Sequence, residues 1–339
     1  MAKTLVIALG GNAITRPNEP GVISAQFAHT AETLQHLLPV LRSDDRIVIT
    51  HGNGPQIGNI LLRVEAGETA PNPVPHLPLD TCAADCQGGM GYMIQRLANE
   101  ILRADSADAQ PPRSVVTVIT QVVVDKNHPD FQRPSKPIGP FYDAEQVDRI
   151  RREKPHWIIR EIEPGRFRRA VPSPRPLDIV EKDAIAGLCE TGVIVIACGG
   201  GGVPVAWEGD RLVGVEAVID KDRASSLLAT QIRAHKLIIV TSVAQAAIHY
   251  KKPDQQWLGT LTLAEARRHL DAGEFPPGSM GPKIEAAIEF IEQGGEECII
   301  TSTEQVSRAL EGEGGTRITG FWAGGDLVFP PAAQVSRKS

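Results

Sequence analysis

Short apolar runs that each end at a polar or glycine-rich loop recur along this chain, and they constrain its fold more than any other feature. The runs are nearly continuous in valine, isoleucine and leucine, which is typical of strands buried on both faces of a parallel sheet. They cover residues 3–9, 46–50, 115–124, 193–198, 236–240 and 297–301. Stretches with helical periodicity lie between them, at residues 24–41, 83–103, 178–190, 221–234, 262–272 and 279–293. This alternation predicts an α/β fold with a doubly wound, mostly parallel open sheet.

The composition agrees with such a fold. Of the 339 residues, 42% are hydrophobic but only 4% are aromatic, so small and branched aliphatic residues must form most of the core, which argues against an all-β sandwich. Residues 125–176 interrupt the alternation with many prolines and a cluster of arginines. Because the glycine loops from both ends of the chain must meet at one site, we predict one domain over residues 1–339, with an inserted, protruding subdomain at 125–176.

Charge, hydropathy and cysteine content limit the classes of partner and the cellular compartment that we expect. Thirty-five lysines and arginines oppose 41 aspartates and glutamates, for a net charge of −6, which disfavours nucleic acid and anionic membranes as partners. No run approaches the ~20 apolar residues of a membrane span, and the N-terminus lacks a signal-peptide pattern. The five cysteines are odd in number and scattered, which indicates reduced thiols. We therefore expect a cytoplasmic protein.

Three loops that follow predicted strands are rich in glycine, namely residues 10–12, 52–54 and 199–202. In an open α/β sheet, ligands bind beyond the carboxyl ends of the strands, and glycines let backbone amides approach a phosphate or an oxyanion. The familiar nucleotide motifs fail. Gly52, Gly54 and Gly58 are spaced one residue too widely for G-x-G-x-x-G, and Pro282 removes an amide that a P-loop at residues 278–283 would need. The loops indicate an anion site, but neither a dinucleotide dehydrogenase nor a P-loop NTPase.

Three lysines stand in loops near predicted strand ends or at the start of a helix, namely Lys126, Lys221 and Lys283. Phosphoryl transfer needs positive charge around the transferred group, and lysine supplies it as a movable point charge. Asp220 and Asp222 flank Lys221 and could hold the lysines in place or help carry Mg²⁺, whereas the simpler role for Asp222 is to cap the helix that follows. The residues point to phosphoryl transfer and leave the role of these acids open.

Seven segments, in order and over nearly the whole chain, together resemble carbamate kinases of the amino acid kinase superfamily. They are ALGGNAI (8–14), THGNGPQIGN (50–59), TQVVVDKNHPDFQRPSKPIGPFY (120–142), RRAVPSPRPLDIVE (168–181), ACGGGGVPV (197–205), GVEAVIDKDRAS (214–225) and GSMGPKIEAAI (278–288). The resemblance implies a three-layer αβα sandwich with an eight-stranded sheet, a protruding subdomain and a homodimer. It also implies reversible phosphoryl transfer between ATP and carbamate, giving ADP and carbamoyl phosphate, with Mg²⁺ as cofactor.

The resemblance further assigns roles to residues. It places the carbamate or the transferred phosphoryl group at Gly10, Gly11, Asn12, Gly52, Asn53 and Gly54. In the same way it implies that Lys126, Lys221 and Lys283 neutralise the charge of the transferred group and that Asp222 orients these lysines. The nucleotide is placed at Lys221, Thr241, Ser242, Met280 and Lys283, and no resident metal site is implied. Many superfamily members have a lysine where this chain has Ala8, and in carbamate kinases the subdomain lysine, here Lys126, compensates for its absence.

Two segments depart from the carbamate kinase pattern. Residues 240–247 lack the two acids and the aromatic residue of the nucleoside segment LTDVDxVY, and Asp85 and Cys86 replace an apolar residue and a serine near the acceptor side. Two alternatives therefore stay open: a kinase of the same fold with a different small carboxylate or carbamate as acceptor, and a non-catalytic binder with a degenerate nucleoside site. We interpret Cys82 and Cys86 as packing residues rather than zinc ligands, and His51 as structural rather than as a proton carrier.

Overall fold

The computed structural model describes residues 2–16, 19, 21–104 and 112–320, with only the backbone of Asn12. The strands are β1 (Thr4–Leu9), β2 (Arg46–His51), β3 (Val115–Thr117), β4 (Gln121–Val124), β5 (Lys136–Tyr142), β6 (Ile158–Glu163), β7 (Arg166–Val171), β8 (Pro176–Ile179), β9 (Ile194–Ile196), β10 (Val203–Glu208), β11 (Arg211–Gly214), β12 (Lys236–Thr241), β13 (Ala247–Ile248), β14 (Gln256–Trp257), β15 (Thr260–Thr262), β16 (Glu297–Ser302) and β17 (Thr316–Thr319). The helices are α1 (Ile23–Leu41), α2 (Gly54–Glu68), α3 (Leu79–Ala104), α4 (Ala144–Glu153), α5 (Lys182–Glu190), α6 (Lys221–Gln231), α7 (Leu263–Asp271), α8 (Gly281–Glu292) and α9 (Val306–Leu310). The predicted domain, 1–339, includes residues 1, 17, 18, 20, 105–111 and 321–339, which lie outside the described residues.

The apolar runs form one central sheet. Its eight strands lie in the order β15, β17, β16, β12, β1, β2, β9, β3, and every neighbouring pair is parallel except β16 with β17. Alternate residues of β1 enter two separate cores: Leu5 and Ile7 pack in the cluster shared with α1 and α3, and Val6 packs in the cluster shared with α6 and α8. The predicted α/β fold, with helices on both faces of a mostly parallel sheet, is confirmed.

The longest apolar run, residues 115–124, is divided between two sheets, so its prediction as one strand is wrong. β3 ends the central sheet, whereas β4 belongs to a four-stranded sheet in the order β11, β10, β4, β8. The side chain of Gln87 in α3 satisfies the backbone at the break: its Nε2 donates to the carbonyl oxygen of Thr120 at 3.0 Å, and its Oε1 accepts from the Thr120 amide at 2.9 Å. Local sequence contains no sign of this distant partner.

The segment between β4 and β8 forms a small sheet of its own. Its three strands are antiparallel, in the order β5, β7, β6. Asp143 and Gln146 form a capping box at the start of α4. The cations of Lys154 and Arg169 each lie 4.2 Å from the centroid of the Trp157 ring. This part of the chain is called the subdomain below.

Candidate active site

The first two glycine loops meet at the carboxyl ends of β1 and β2. The amide of Gly10 donates to the carbonyl oxygen of Val240 at 2.9 Å, and the amide of Gly52 donates to that of Leu9 at 3.0 Å. A Cβ on Gly10 would lie 2.7 Å from the Val240 oxygen, so only glycine fits there. Because both amides are already used, neither glycine donates its amide to a ligand, and Gly10 shapes the site by close approach. Gly11 lies beside them, since its amide nitrogen is 3.6 Å from the Cβ position of Gly52.

Helix α2 begins within the second glycine loop, which the sequence pattern did not predict. Asn53 precedes the helix, Gly54 is its first residue and Pro55 follows. The amide of Ile57 makes the first helical hydrogen bond, to the carbonyl oxygen of Asn53 at 2.9 Å. The amides of Gly54 and Gln56 have no partner within the helix, as at any helix start, and the positive end of the helix dipole lies here. A helix start of this kind favours an anion.

The third glycine loop packs against the side chains of His51, at the end of β2, and Asn53. A Cβ on Gly199 would lie 2.5 Å from Nε2 of His51, and one on Gly200 would lie 2.1 Å from Nδ2 of Asn53. His51 is buried, and burial lowers its pKa to about 4, although the carbonyl oxygen of Gly52 lies 3.2 Å from its Nδ1. The ring is neutral at pH 7, which agrees with its interpretation as a structural residue.

Lys221, Asp222 and Lys283 form a buried group that we call the lysine cluster. Nζ of Lys221 lies 2.8 Å from Oδ1 of Asp222, and Nζ of Lys283 lies 3.1 Å from Oδ2. Asp222 does not cap α6 as the simpler reading expects. Asp220 does so instead, because its Oδ1 accepts from the Asp222 amide at 2.9 Å. The Asp222 side chain is thereby free to hold both lysines.

The charges in this cluster depend on one another. Burial opposes the ionised form of Asp222, yet the ammonium groups of Lys221 and Lys283 outweigh it and lower the pKa of the carboxyl to about 2. Burial also lowers the pKa of Lys221, against the opposing effect of Asp222. With both lysines charged, two ammonium groups share one carboxylate, and a buried positive charge remains.

Hydroxyl groups fix the cluster to the sheet. Oγ1 of Thr50, in β2, lies 2.6 Å from Oγ of Ser225, which donates to the carbonyl oxygen of Lys221 at 2.7 Å. Oγ of Ser226 donates to the carbonyl oxygen of Ala286 at 2.9 Å and so joins α6 to α8, the helix that carries Lys283. The side chain of Lys221 also reaches the second glycine loop, since its Cδ lies 3.7 Å from the Cβ position of Gly52.

A cleft of about 580 Å³ of empty space, part of it open to solvent, lies beside the end of β12. Four of the five predicted nucleotide residues line it, namely Thr241, Ser242, Met280 and Lys283. Tyr250 and Gln245, which sequence reasoning missed, line it as well. Lys283 therefore belongs both to the cleft and to the lysine cluster, whereas Lys221 lies on the side of the glycine loops.

Lys126 is not brought into the cluster. Its Nζ pairs with Oε1 of Glu208 at 2.9 Å, and both side chains are about half exposed. A lysine that the sequence reasoning missed, Lys136 in β5, lies closer to the cluster. Its Nζ donates to the carbonyl oxygen of Ile219 at 2.9 Å and lies 3.4 Å from Oδ2 of Asp220. The side chain of Asn12, a predicted substrate residue, lies outside the described residues.

The two replaced residues of α3 lie in different environments. Asp85 is exposed, whereas Cys86 is buried and interacts with the side chain of Asn53. Burial raises the pKa of the Cys86 thiol to about 12 and that of Cys82 to about 11, so both remain protonated at pH 7.

Within the described ranges, no group of three or more histidine, cysteine, aspartate or glutamate side chains is placed to hold a metal ion. None of the helices described is long and apolar enough to span a bilayer.

The chain is similar to proteins of known family. Residues 3–302 match the model of the amino acid kinase family. The chain is 46% identical to the carbamate kinase of Pyrococcus furiosus, over 94% of this chain and 99% of that protein. It is 44% identical to the carbamate kinase-like protein YahI of Escherichia coli, with the same coverage. Among solved structures, carbamate kinase from Giardia lamblia bound to AMP-PNP has a TM-score of 0.86 at 39% identity, over 94% of this chain and 99% of that one.

Proposed function

The chain belongs to the amino acid kinase family and, within it, to the carbamate kinases, and on this premise we propose that it transfers a phosphoryl group reversibly between ATP and carbamate. ADP and carbamoyl phosphate are the other pair of reactants. The observation that carries the proposal is the buried lysine cluster. Lys283 lines the cleft and Lys221 reaches Gly52, so the surplus positive charge lies between a place for a nucleotide and a place for an acceptor.

In the proposed reaction a carbamate oxygen attacks the γ-phosphorus of ATP. A new oxygen–phosphorus bond forms, the bond from phosphorus to the β,γ-bridging oxygen breaks, and its electron pair stays on ADP. No proton has to move, so no general base is needed, and a neutral, buried His51 is consistent with this chemistry. Catalysis then rests on alignment of the reactants and on stabilising the charge of the transferred group.

Each group of site residues has a part in this reaction that follows from its position. The nucleotide lies in the cleft against Thr241, Ser242 and Met280, with its phosphates directed to Lys283 and Lys221. The acceptor lies at the start of α2, beside Gly11, the backbone of Asn12, Asn53 and Gly54, where unpaired helix amides favour negative charge. Gly10 lets the first glycine loop approach the end of β12 closely. Lys126 reaches the transferred group only after leaving Glu208.

Mg²⁺ enters this scheme with the nucleotide, as part of the substrate. The oxygens of Asp222 face two ammonium groups, and those of Asp220 face backbone amides of α6 and Lys136, so these acids form no cage for a resident ion. Mg²⁺ commonly keeps water and substrate phosphates as most of its ligands. We further propose a cytoplasmic homodimer and a single domain with 125–176 as its inserted subdomain, as the resemblance to carbamate kinases implies.

The two alternatives have less support. Asp85, which prompted a different acceptor, is exposed, and the protonated Cys86 thiol is compatible with a small uncharged or anionic group nearby. A non-catalytic binder of phosphates would also use this surplus positive charge, but two of the relatives named above are carbamate kinases.

The test is ATP formation from ADP and carbamoyl phosphate, measured with a coupled enzyme, beside the same assay with acetyl phosphate. The two phosphates differ by an amino group against a methyl group. We expect turnover with carbamoyl phosphate to exceed that with acetyl phosphate by at least ~10²-fold in kcat/KM, because a site that hydrogen-bonds an amino group rejects the analogue that lacks it. Equal turnover would favour a different acceptor. Binding of ADP without any turnover would favour the non-catalytic alternative.

A further inference from the structure

The third glycine of the segment GNGPQIG, Gly58, has no place in the chemistry above. It lies in the second turn of α2, is buried, and faces the subdomain. A Cβ on Gly58 would lie 2.8 Å from Cα and 3.1 Å from N of Gly139, a residue of β5. Both contacting groups are backbone, so no flexible side chain can move aside. Gly139 itself has φ +72°, a conformation that other residues adopt only with strain.

Strand β5 is held at two points that belong to different parts of the site. Its first residue, Lys136, bonds the carbonyl oxygen of Ile219 and approaches Asp220, the cap of α6. Three residues later Gly139 rests on α2, and Nε of Arg168 donates to the Gly139 carbonyl oxygen at 3.0 Å. Helix α6 begins with Lys221, and α2 begins with Gly54. The two anchor points, about 10 Å apart at ~3.3 Å per residue, thus connect the lysine cluster to the second glycine loop.

We propose that Gly58 is a positioning residue for phosphoryl transfer, because it lets β5 rest directly on α2 and so sets the distance between the second glycine loop and the lysine cluster. The kinetic part of this inference rests on the proposed function. An ion pair between Lys154 of the subdomain and Glu65 of α2, at 3.3 Å, holds the same two parts together. The residues of the nucleotide cleft come from other elements: the end of β12 and the segment after it, and the start of α8 with the residues just before it.

A methyl group at position 58 has to push β5 away from α2. To bring the contact from 2.8 Å to an ordinary 3.4 Å, the two backbones must separate by 0.6 Å. In-line transfer is sensitive to such shifts, since a misplacement of ~1 Å can lower a rate by ~10²-fold. The cleft contacts of the nucleotide, to Thr241, Ser242 and Met280, come from elements other than α2 and β5, so ADP binding should be spared.

The experiment compares Gly58→Ala with Gly88→Ala. Gly88 lies in α3, where an added Cβ meets nothing within 4 Å, so the control makes the same chemical change without a contact. We expect Gly58→Ala to lower kcat for ATP formation by ~10- to 100-fold, while the dissociation constant for ADP, from calorimetry, stays within ~2-fold of wild type. Gly88→Ala should match wild type in both. A wild-type kcat in Gly58→Ala, or an equal loss of kcat and ADP affinity, would overturn the inference.

Two further measurements distinguish a failure of the inference from a failure of Gly58→Ala to fold and from a failure of the proposed function. If Gly58→Ala does not fold, Glu65→Gln removes the ion pair to Lys154 at constant volume. It should lower kcat by ~2- to 5-fold with ADP affinity unchanged, and a wild-type kcat in a folded Glu65→Gln protein overturns the inference. Amide hydrogen exchange in β5 requires no activity: it should be faster in Gly58→Ala than in wild type, and unchanged exchange refutes the docking. A wild-type protein without turnover refutes only the proposed function.

Discussion

Replacing Asp222 with asparagine should destabilise the folded protein by about 2–5 kcal/mol. The change keeps the shape of the side chain but removes the negative charge that lies 2.8 Å from the ammonium nitrogen of Lys221 and 3.1 Å from that of Lys283. Asp222 is only 4% exposed, so water cannot replace the lost charge. The buried ammonium group of Lys221 and that of Lys283 are then left with an amide between them.

The magnitude follows from two independent routes. The pKa of Asp222 falls from 3.8 to about 2, and a shift of nearly two units corresponds to about 2–3 kcal/mol in favour of the ionised carboxylate, after its burial has been counted. Removal of one partner from a buried ion pair typically costs ~3–5 kcal/mol. The first value is the smaller because it measures only the protonation of Asp222 and not the unpaired lysines that the variant leaves behind.

Urea unfolding of wild type and Asp222→Asn at pH 7 measures this difference directly. Its pH dependence gives a second check. The folded pKa of Asp222 lies below the unfolded one, so its contribution is fully present above pH ~4 and is lost as the pH falls through 3.8 towards 2. The gap between the two proteins should therefore narrow in that range. A difference below ~0.5 kcal/mol at pH 7 would refute the reasoning, because it would mean that the lysines do not depend on this carboxylate.

Four other variants test separate parts of the site. Lys283→Ala should lower turnover by ~10²–10³-fold. The fold should stay largely intact, because Asp222 keeps Lys221 as its partner. Near-normal steady-state turnover would contradict the role of Lys283 in phosphoryl transfer. The folded pKa of His51 is about 4, below the ordinary 6.5, so the unfolded chain binds a proton first as the pH falls. The free energy of unfolding of wild type should therefore fall by about 3 kcal/mol between pH 6.5 and pH 4. A His51→Gln protein that shows the same fall in urea titrations would exclude His51 as its source. Glu208→Gln should change the free energy of unfolding by less than ~1 kcal/mol, because its pair with Lys126 is exposed, whereas Lys126→Met should lower turnover at unchanged stability.

Where burial alone decides local structure, the sequence predicts it well. β1 and β2 begin and end within one residue of the predicted runs, because a strand buried on both faces must be apolar throughout. Helix α2 escaped prediction because Gly54, Pro55 and Gly58 at its start resemble a loop, although proline is favoured in the first turn of a helix. The division of residues 115–124 depends on Gln87, which lies far away in the chain, so no local pattern could reveal it.

The site was predictable only to the extent that its residues follow strands of one sheet. The loops after β1, β2 and β12 converge because those strands share the central sheet. Lys126 also follows a strand, but β4 lies in the four-stranded sheet, so the same rule does not bring it to the same edge. Its role stays a prediction. Sequence alone also could not tell Asp220 from Asp222, since either can cap α6, and only the packing of α8 selects Asp222 as the partner of Lys283.

The unequal numbers of lysines and carboxylates in the cluster have a physical reason. With a second carboxylate the cluster would be neutral and would hold a phosphate weakly; with none, burial would drive Lys221 towards its uncharged form, since its pKa is already lowered. One carboxylate between two lysines opposes the effect of burial on the pKa of Lys221 and leaves one positive charge uncompensated in a protein whose net charge is −6. That charge is costly in the empty protein and becomes favourable when nucleotide phosphates arrive. Because the cost is borne before binding, the cations need no reorganisation during the transfer itself, which is the condition under which electrostatic stabilisation lowers a barrier most.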